Sequence, residues 1–263
     1  MTRRLREHWP EYLMEAAGLG LFMIAAAAGA TLLEHPASPI RQHLASPLAR
    51  RALMGLAMGA TSIALVYSPM GARSGAHLNP ATTLTFYRLG RVHRIDAIAY
   101  ALAHFAGALA GIVLAAALLG SSIAVPTVRY VATLPGPWGE LPAFIAELFI
   151  AFLLMTLVLH VSNHVRWSRY TGLCAGALVA LYITIEAPIS GMSLNPARSF
   201  GPALLAHELR SLWIYVVAPV AGMLLAAEAF LRARGLNAVV CAKLHHHTAA
   251  RCIFNCRFGA QQP

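Results

Sequence analysis

Six stretches of mostly apolar residues recur along the chain, at roughly 12–33, 52–69, 95–119, 141–160, 171–187 and 211–231. About 20 such residues in a helix cross a bilayer core, so each stretch is read as a spanning helix. The second and fifth are short, and each is followed by an irregular stretch and a shorter apolar piece, 79–88 and 195–206. Those pieces cannot cross. Each is read as a half-helix that enters the membrane and stops at mid-depth. The pattern thus predicts an all-α membrane protein of six transmembrane helices and two re-entrant half-helices.

An internal repeat gives the arrangement. Residues 74–81 read Ser-Gly-Ala-His-Leu-Asn-Pro-Ala and residues 190–197 read Ser-Gly-Met-Ser-Leu-Asn-Pro-Ala, six of eight positions identical at a spacing of 116. Each copy follows the second span of a three-span half. An odd number of spans inverts the second half, so the two copies enter from opposite faces, as in inverted-repeat transport proteins with a site near midplane. The expected organisation is an N-terminus over 1–11, a membrane domain over 12–234 with repeats at about 12–119 and 141–231, and a tail over 235–263.

Composition agrees. Of 263 residues, 58% are hydrophobic and 11% charged, against about 25% charged in ordinary soluble domains. The formal net charge of +10 does not indicate nucleic acid, because the arginines sit in short clusters between apolar runs. With both termini on the cytoplasmic side, fourteen Lys and Arg fall inside, five outside, and Arg198 within the membrane. That bias predicts cytoplasmic termini. Arg3, Arg4 and Arg6 ahead of an apolar run resemble a signal peptide, but Glu15 interrupts the run and its length suits a retained first helix.

The chemistry lies in the repeated motif. Proline suits the first helical position and asparagine the cap before it, so Asn79, Pro80 and Ala81, and Asn195, Pro196 and Ala197, start two helices whose positive ends face mid-membrane. Such a region repels cations and protons and admits neutral molecules. Non-helical backbone survives at this depth only inside protein or along a wet cavity. The carbonyls of Gly75, Ala76 and His77, and of Gly191, Met192 and Ser193, are therefore expected to line a pore. Arg198 follows Asn195 by three residues and shares its helix face. An intramembrane arginine is costly and marks function.

These segments, Ser74 to Thr83 and Ser190 to Pro202, make the chain similar to the major intrinsic protein family, the aquaporins and aquaglyceroporins, over about residues 10–234. The resemblance implies a homotetramer with one pore per subunit in the plasma (inner) membrane, and no enzyme activity. It implies that Arg198 belongs to an outer selectivity filter whose other positions, carried over by spacing, are Gly59, Ile183 and Met192. Water-selective relatives have an aromatic and a histidine at the first two places, so a wider, more apolar filter is expected. Ser199 stands where glycerol channels commonly have aspartate, and this second indicator opposes the first. For Gly59, helix packing is an equal alternative. The resemblance also implies that Glu15 and Glu147 brace the re-entrant loops, with a proton relay as the alternative.

The expected permeants are water and small uncharged solutes, glycerol-like or smaller, passing passively through a channel set in membrane lipid, with ions and protons excluded. A coupled secondary transporter is the alternative, since such proteins share the inverted repeat. Gly107, Gly111, Gly172 and Gly176 are assigned to helix packing, His104 to a buried hydrogen bond and His77 to the inner vestibule. Cys241, His245, His246, His247, Cys252 and Cys256 carry donors suited to zinc or copper, yet their spacing matches no zinc-finger pattern. The tail is read as an unstructured extension without a pore role, and no metal, cofactor or nucleic-acid partner is assigned.

Overall fold

The computed structural model describes residues 2–258. Helices follow in the order α1 (Thr2–Glu34), α2 (Pro39–His43), α3 (Pro47–Tyr67), α4 (Pro69–Ser74), α5 (Pro80–Arg88), α6 (Arg94–Leu119), α7 (Glu140–Ser162), α8 (Thr171–Ile185), α9 (Ala187–Ser190), α10 (Pro196–Ala206) and α11 (Leu212–Arg234). Among the described residues six helices, α1, α3, α6, α7, α8 and α11, are long and apolar enough to cross a membrane. Helices α5 and α10 are the two half-helices.

Helix α1 begins ten residues before its apolar pattern does. Its first turns are polar, yet they are held. Asp96 at the start of α6 accepts from Arg4 (3.0 Å), His8 (2.8 Å) and Tyr12 (2.8 Å), and Arg73 pairs with the buried Glu11 (2.9 Å). A polar face that finds its partners in another element leaves no apolar period to read.

Helices α1 and α6 pair within the first half, α7 and α11 within the second, and α3 with α8 across the halves. Each half-helix also packs on the third span of the other half, α5 on α11 and α10 on α6. Glycines set these approaches. A Cβ on Gly107 would fall 2.1 Å from the Ala16 carbonyl oxygen, and one on Gly111 2.4 Å from that of Gly20. Gly172 meets the side chains of Val66 and Tyr67 on α3, and Gly176 the Ile63 side chain and the Gly59 carbonyl. All four glycines of the sequence reading are packing residues, as small residues at membrane helix contacts generally are.

The tail corrects the sequence reading. Its backbone is irregular, but it folds back onto the helices instead of extending freely. Val239, Val240, Cys241, Ala242, Lys243 and Leu244 are buried, as are Ile253 and Phe254. Gly235 ends α11 with φ +76°, and the chain turns under the bundle. Arg91 and Asn255 bind each other's backbone, Asn255 N–H donating to the Arg91 carbonyl (2.9 Å). Asn163 Oδ1 accepts from the Val240 N–H (2.6 Å).

Candidate functional site

The two motif loops share one backbone conformation. Gly75, Ala76 and Leu78 have φ of +103°, +55° and +48°, and Gly191, Met192 and Leu194 have +85°, +53° and +59°. Left-handed φ costs a non-glycine residue of order 1–3 kcal/mol, so each loop needs support. Two buried carboxylates supply it. Glu15 Oε1 accepts from Ser74 Oγ (2.6 Å) and the His77 N–H (3.1 Å), and Oε2 from the Leu78 N–H (2.6 Å) and His104 Nε2 (2.7 Å). Glu147 Oε1 accepts from Ser190 Oγ (2.9 Å) and the Ser193 N–H (2.5 Å), and Oε2 from the Leu194 N–H (2.8 Å). A buried tyrosine completes each brace. Tyr100 O–H donates to the Ser74 carbonyl and Tyr215 O–H to the Ser190 carbonyl, both at 2.6 Å. The sequence reading missed these tyrosines, although they follow their motif serines by 26 and 25 residues and so repeat like the motifs themselves.

Where the half-helices meet, the asparagines cross-bond. Asn79 Nδ2 donates to the Leu194 carbonyl and Asn195 Nδ2 to the Leu78 carbonyl, both at 2.7 Å. Each side-chain oxygen caps its own helix, accepting from Ala81 N–H (2.8 Å) and Ala197 N–H (3.1 Å) respectively. An amide carries two N–H groups, so each asparagine keeps one for the cavity that both border.

That cavity, about 310 Å³, runs from Glu34 and Arg51 past both asparagines to His77, Val66 and Leu244. Its wall includes Ala76, His77, Leu78, Gly191, Met192 and Ser193. Gly75 is set aside from it, and its carbonyl is taken by the Leu244 N–H (3.1 Å). Ile183, Met192 and Arg198 border the cavity as expected.

Gly59 does not. It faces α8, where an added Cβ would lie 2.6 Å from the Gly176 carbonyl oxygen and 2.9 Å from Ala180 Cβ. From α3 the cavity is bordered by Met54 and Met58 instead. Gly59 lies on the side of α3 that packs against α8, where its missing side chain allows the close approach. The packing alternative for Gly59 is the one the structure shows. Arg198 donates through Nη1 to Thr133 Oγ1, and Ser199 Oγ to the same hydroxyl at 2.9 Å. Thr133 lies in the connection between the halves and was not foreseen, since nothing in its neighbourhood repeats.

At the opposite end, His77 is fully engaged. A carbonyl can only accept, so Nε2 donates to Ala242 O (2.8 Å), and Nδ1 then accepts from Thr83 Oγ1 (2.8 Å). The ring stacks on Phe254 of the tail at 5.2 Å between centroids. Among the described residues no carboxylate pairs with Lys243 Nζ. It donates to the carbonyls of Ala72 (2.8 Å), Ala250 (3.1 Å) and Arg251 (2.7 Å), and burial pulls its pKa below the usual lysine range.

Two inverted three-span halves whose motif loops meet at mid-depth define an integral membrane protein with a central passage. The family model described as "Major intrinsic protein" matches residues 3–230, and the chain belongs to that family. Aquaporins of this family are channels, not enzymes. Similar proteins include aquaporin NIP1-4 of Oryza sativa subsp. japonica, 38% identical over 67% of this chain and 63% of its own length. Aquaporin NIP1-2 of Arabidopsis thaliana is 36% identical over 68% and 62%. The chain thus spans less than two thirds of these relatives. The aquaglyceroporin from Plasmodium falciparum has the same fold, with a TM-score of 0.66 at 22% identity, covering 85% of this chain and 95% of the other.

Proposed function

We propose that the chain forms a passive pore for water and small uncharged solutes, glycerol-like or smaller, that excludes ions and protons. The observation that carries this reading is the meeting of two capped helix N-termini at a continuous cavity, each asparagine holding one amide N–H free. Partial positive charge from both ends opposes cations, while the free N–H groups receive the oxygen of a neutral molecule. Arg198 supplies charge and donors in a cavity that the apolar side chains of Met54, Met58, Ile183 and Met192 also border. A carbon-bearing solute can turn its apolar side to these and its hydroxyls to Arg198.

Among the described residues one carboxylate, Glu34, borders the cavity, and it pairs with Arg50 (3.0 Å). Proton-coupled transport commonly runs through acidic residues facing a wet cavity, so the passive reading is preferred over a coupled transporter. The relatives' name, aquaporin, supports the same class. We place the protein in the plasma (inner) membrane as a homotetramer with both termini cytoplasmic.

The test is stopped-flow light scattering on proteoliposomes under water and then glycerol gradients, with conductance recorded in parallel. The intact chain and a form ending at Gly235 are both measured. Passive water flux, flux of at least one larger neutral solute, and no ionic current are expected. Accumulation driven by an ion gradient, or a robust proton current, overturns the proposal.

A further inference from the structure

The folded tail brings together four residues that the sequence scatters. Cys241 Sγ, His246 Nε2, Cys252 Sγ and Cys256 Sγ all lie within 4.8 Å of one another. Cys241 and Cys252 are 3.6 Å apart at sulfur, and Cys256 Sγ is 3.0 Å from His246 Nε2. A Zn–S bond of about 2.3 Å gives a tetrahedron with sulfur-to-sulfur edges of about 3.8 Å, close to the first distance. It is also well beyond the roughly 2.0 Å of a disulfide. Three thiols and one imidazole, with no carboxylate, form a soft donor set that hard cations do not favour. Cys241 is buried, and the other three are half-buried. Cys252 borders a surface pocket with Arg3, Glu7 and His8, which provides an access path for an ion.

The same segment borders one end of the cavity. Leu244 borders the cavity beside His77, and its N–H binds the Gly75 carbonyl. Phe254 stacks on His77 and sits where a Cβ on Gly75 would be, 2.7 Å away. Cys241 and Cys252 lie on the two strands of chain that carry Leu244 and Phe254. Residues 245–251 between them form no helix or strand, so backbone pairing alone does not tie the two strands together.

We propose that Cys241, His246, Cys252 and Cys256 form a closed four-coordinate zinc site, and that the ion clamps the tail as a plug on this mouth of the pore. The zinc site stands on its own geometry. The plugging role rests on the pore reading above. A structural zinc with four protein ligands ties folding of a small segment to the metal. Removing it frees Leu244 and Phe254 to leave the mouth together.

The intact protein in detergent is titrated with Zn2+, and with Co2+ as a spectroscopic probe. One ion per chain is expected, with a thiolate-to-cobalt charge-transfer band and the visible absorption of tetrahedral Co2+. Cys252→Ser combined with Cys256→Ser should lose both. Absence of the band in the unaltered protein overturns the site whether or not the variant folds, and so does a Cys241–Cys252 disulfide in metal-free protein. Water flux is then measured in proteoliposomes loaded with zinc, with a membrane-permeant chelator, and with the form ending at Gly235. Chelation and truncation should each raise flux about tenfold, within the span of ordinary two-site coupling. Equal flux in all three overturns the plug. No flux even from the folded truncated form overturns the pore reading and leaves the zinc result to judge the site alone.

Discussion

Glu15 and Glu147 occupy corresponding places, but they are not equally loaded. Each oxygen of Glu15 receives two donors, whereas Glu147 Oε2 receives only the Leu194 N–H. A glutamine replaces one accepting oxygen by a donor. In Glu147→Gln this strands one backbone N–H, and in Glu15→Gln it strands the Leu78 N–H and His104 Nε2. The His104 ring cannot simply change tautomer, because its Nδ1 has no partner among the described residues. A stranded buried donor costs about 1–3 kcal/mol. Thermal unfolding in detergent should therefore show Glu15→Gln losing more stability than Glu147→Gln. Equal losses, or a folded variant whose only defect is in the pH dependence of transport, would restore the proton-relay alternative. Gly59 makes the opposite lesson testable. Gly59→Ala should cost roughly 1–3 kcal/mol, the range for overpacking, and leave the solute-to-water permeability ratio of the folded fraction unchanged. Met54→Ala should raise that ratio. A filter role for Gly59 predicts the reverse pattern. The sequence placed Ile183, Met192 and Arg198 on the cavity because each is counted within or near a motif. It misplaced Gly59 because a spacing does not tell the face of α3 that meets the cavity from the face that packs on α8.

Among the elements, α5 and α10 were the most legible. Asn-Pro at a helix start has a local mechanism, a side-chain cap followed by a residue with φ already set, and it needs no tertiary information. The loops ahead of them were legible only as irregular. Their alternating left-handed residues arise from the carboxylates and tyrosines of distant spans. That dependence makes the two half-helices a single cooperative unit. Each asparagine both caps its own helix and holds the other's loop. Asn79→Ala and Asn195→Ala should each lose about 1 kcal/mol for the cap and more for the crossing bond. The double variant should lose less than the sum, by more than about 0.5 kcal/mol, since the first change already loosens the partner loop. Denaturant titration of the four proteins measures this. Strict additivity would mean that the two loops fold independently.

At the scale of the whole molecule, the halves interlock. Helices α3 and α8 pack across the pseudo-symmetric boundary, and each half-helix leans on the other half's last span, so neither half closes the passage alone. The inverted repeat made this architecture readable, because two copies of one motif with three spans each leave few arrangements. The tail had no copy to be compared with, and its burial depends on the floor the bundle offers it, which is why a free extension was expected. Orientation is the remaining global property, and charge is the basis on which we propose cytoplasmic termini. Six spans place both termini on one face. On the proposed topology fourteen of the nineteen Lys and Arg outside the membrane share the face of the termini, and an excess of this kind favours the cytoplasmic side. Arg50 and Arg51 on the other face count against that bias. Arg50 is spent on Glu34 and on the carbonyls of Leu44 and Ala45, and Arg51 on the Thr184 carbonyl. An epitope at either terminus should thus be reached by antibody in inverted vesicles and not in sealed right-side-out ones. Labelling from the outside would reverse the membrane assignment and put the folded tail, with its cysteines, at the outer mouth.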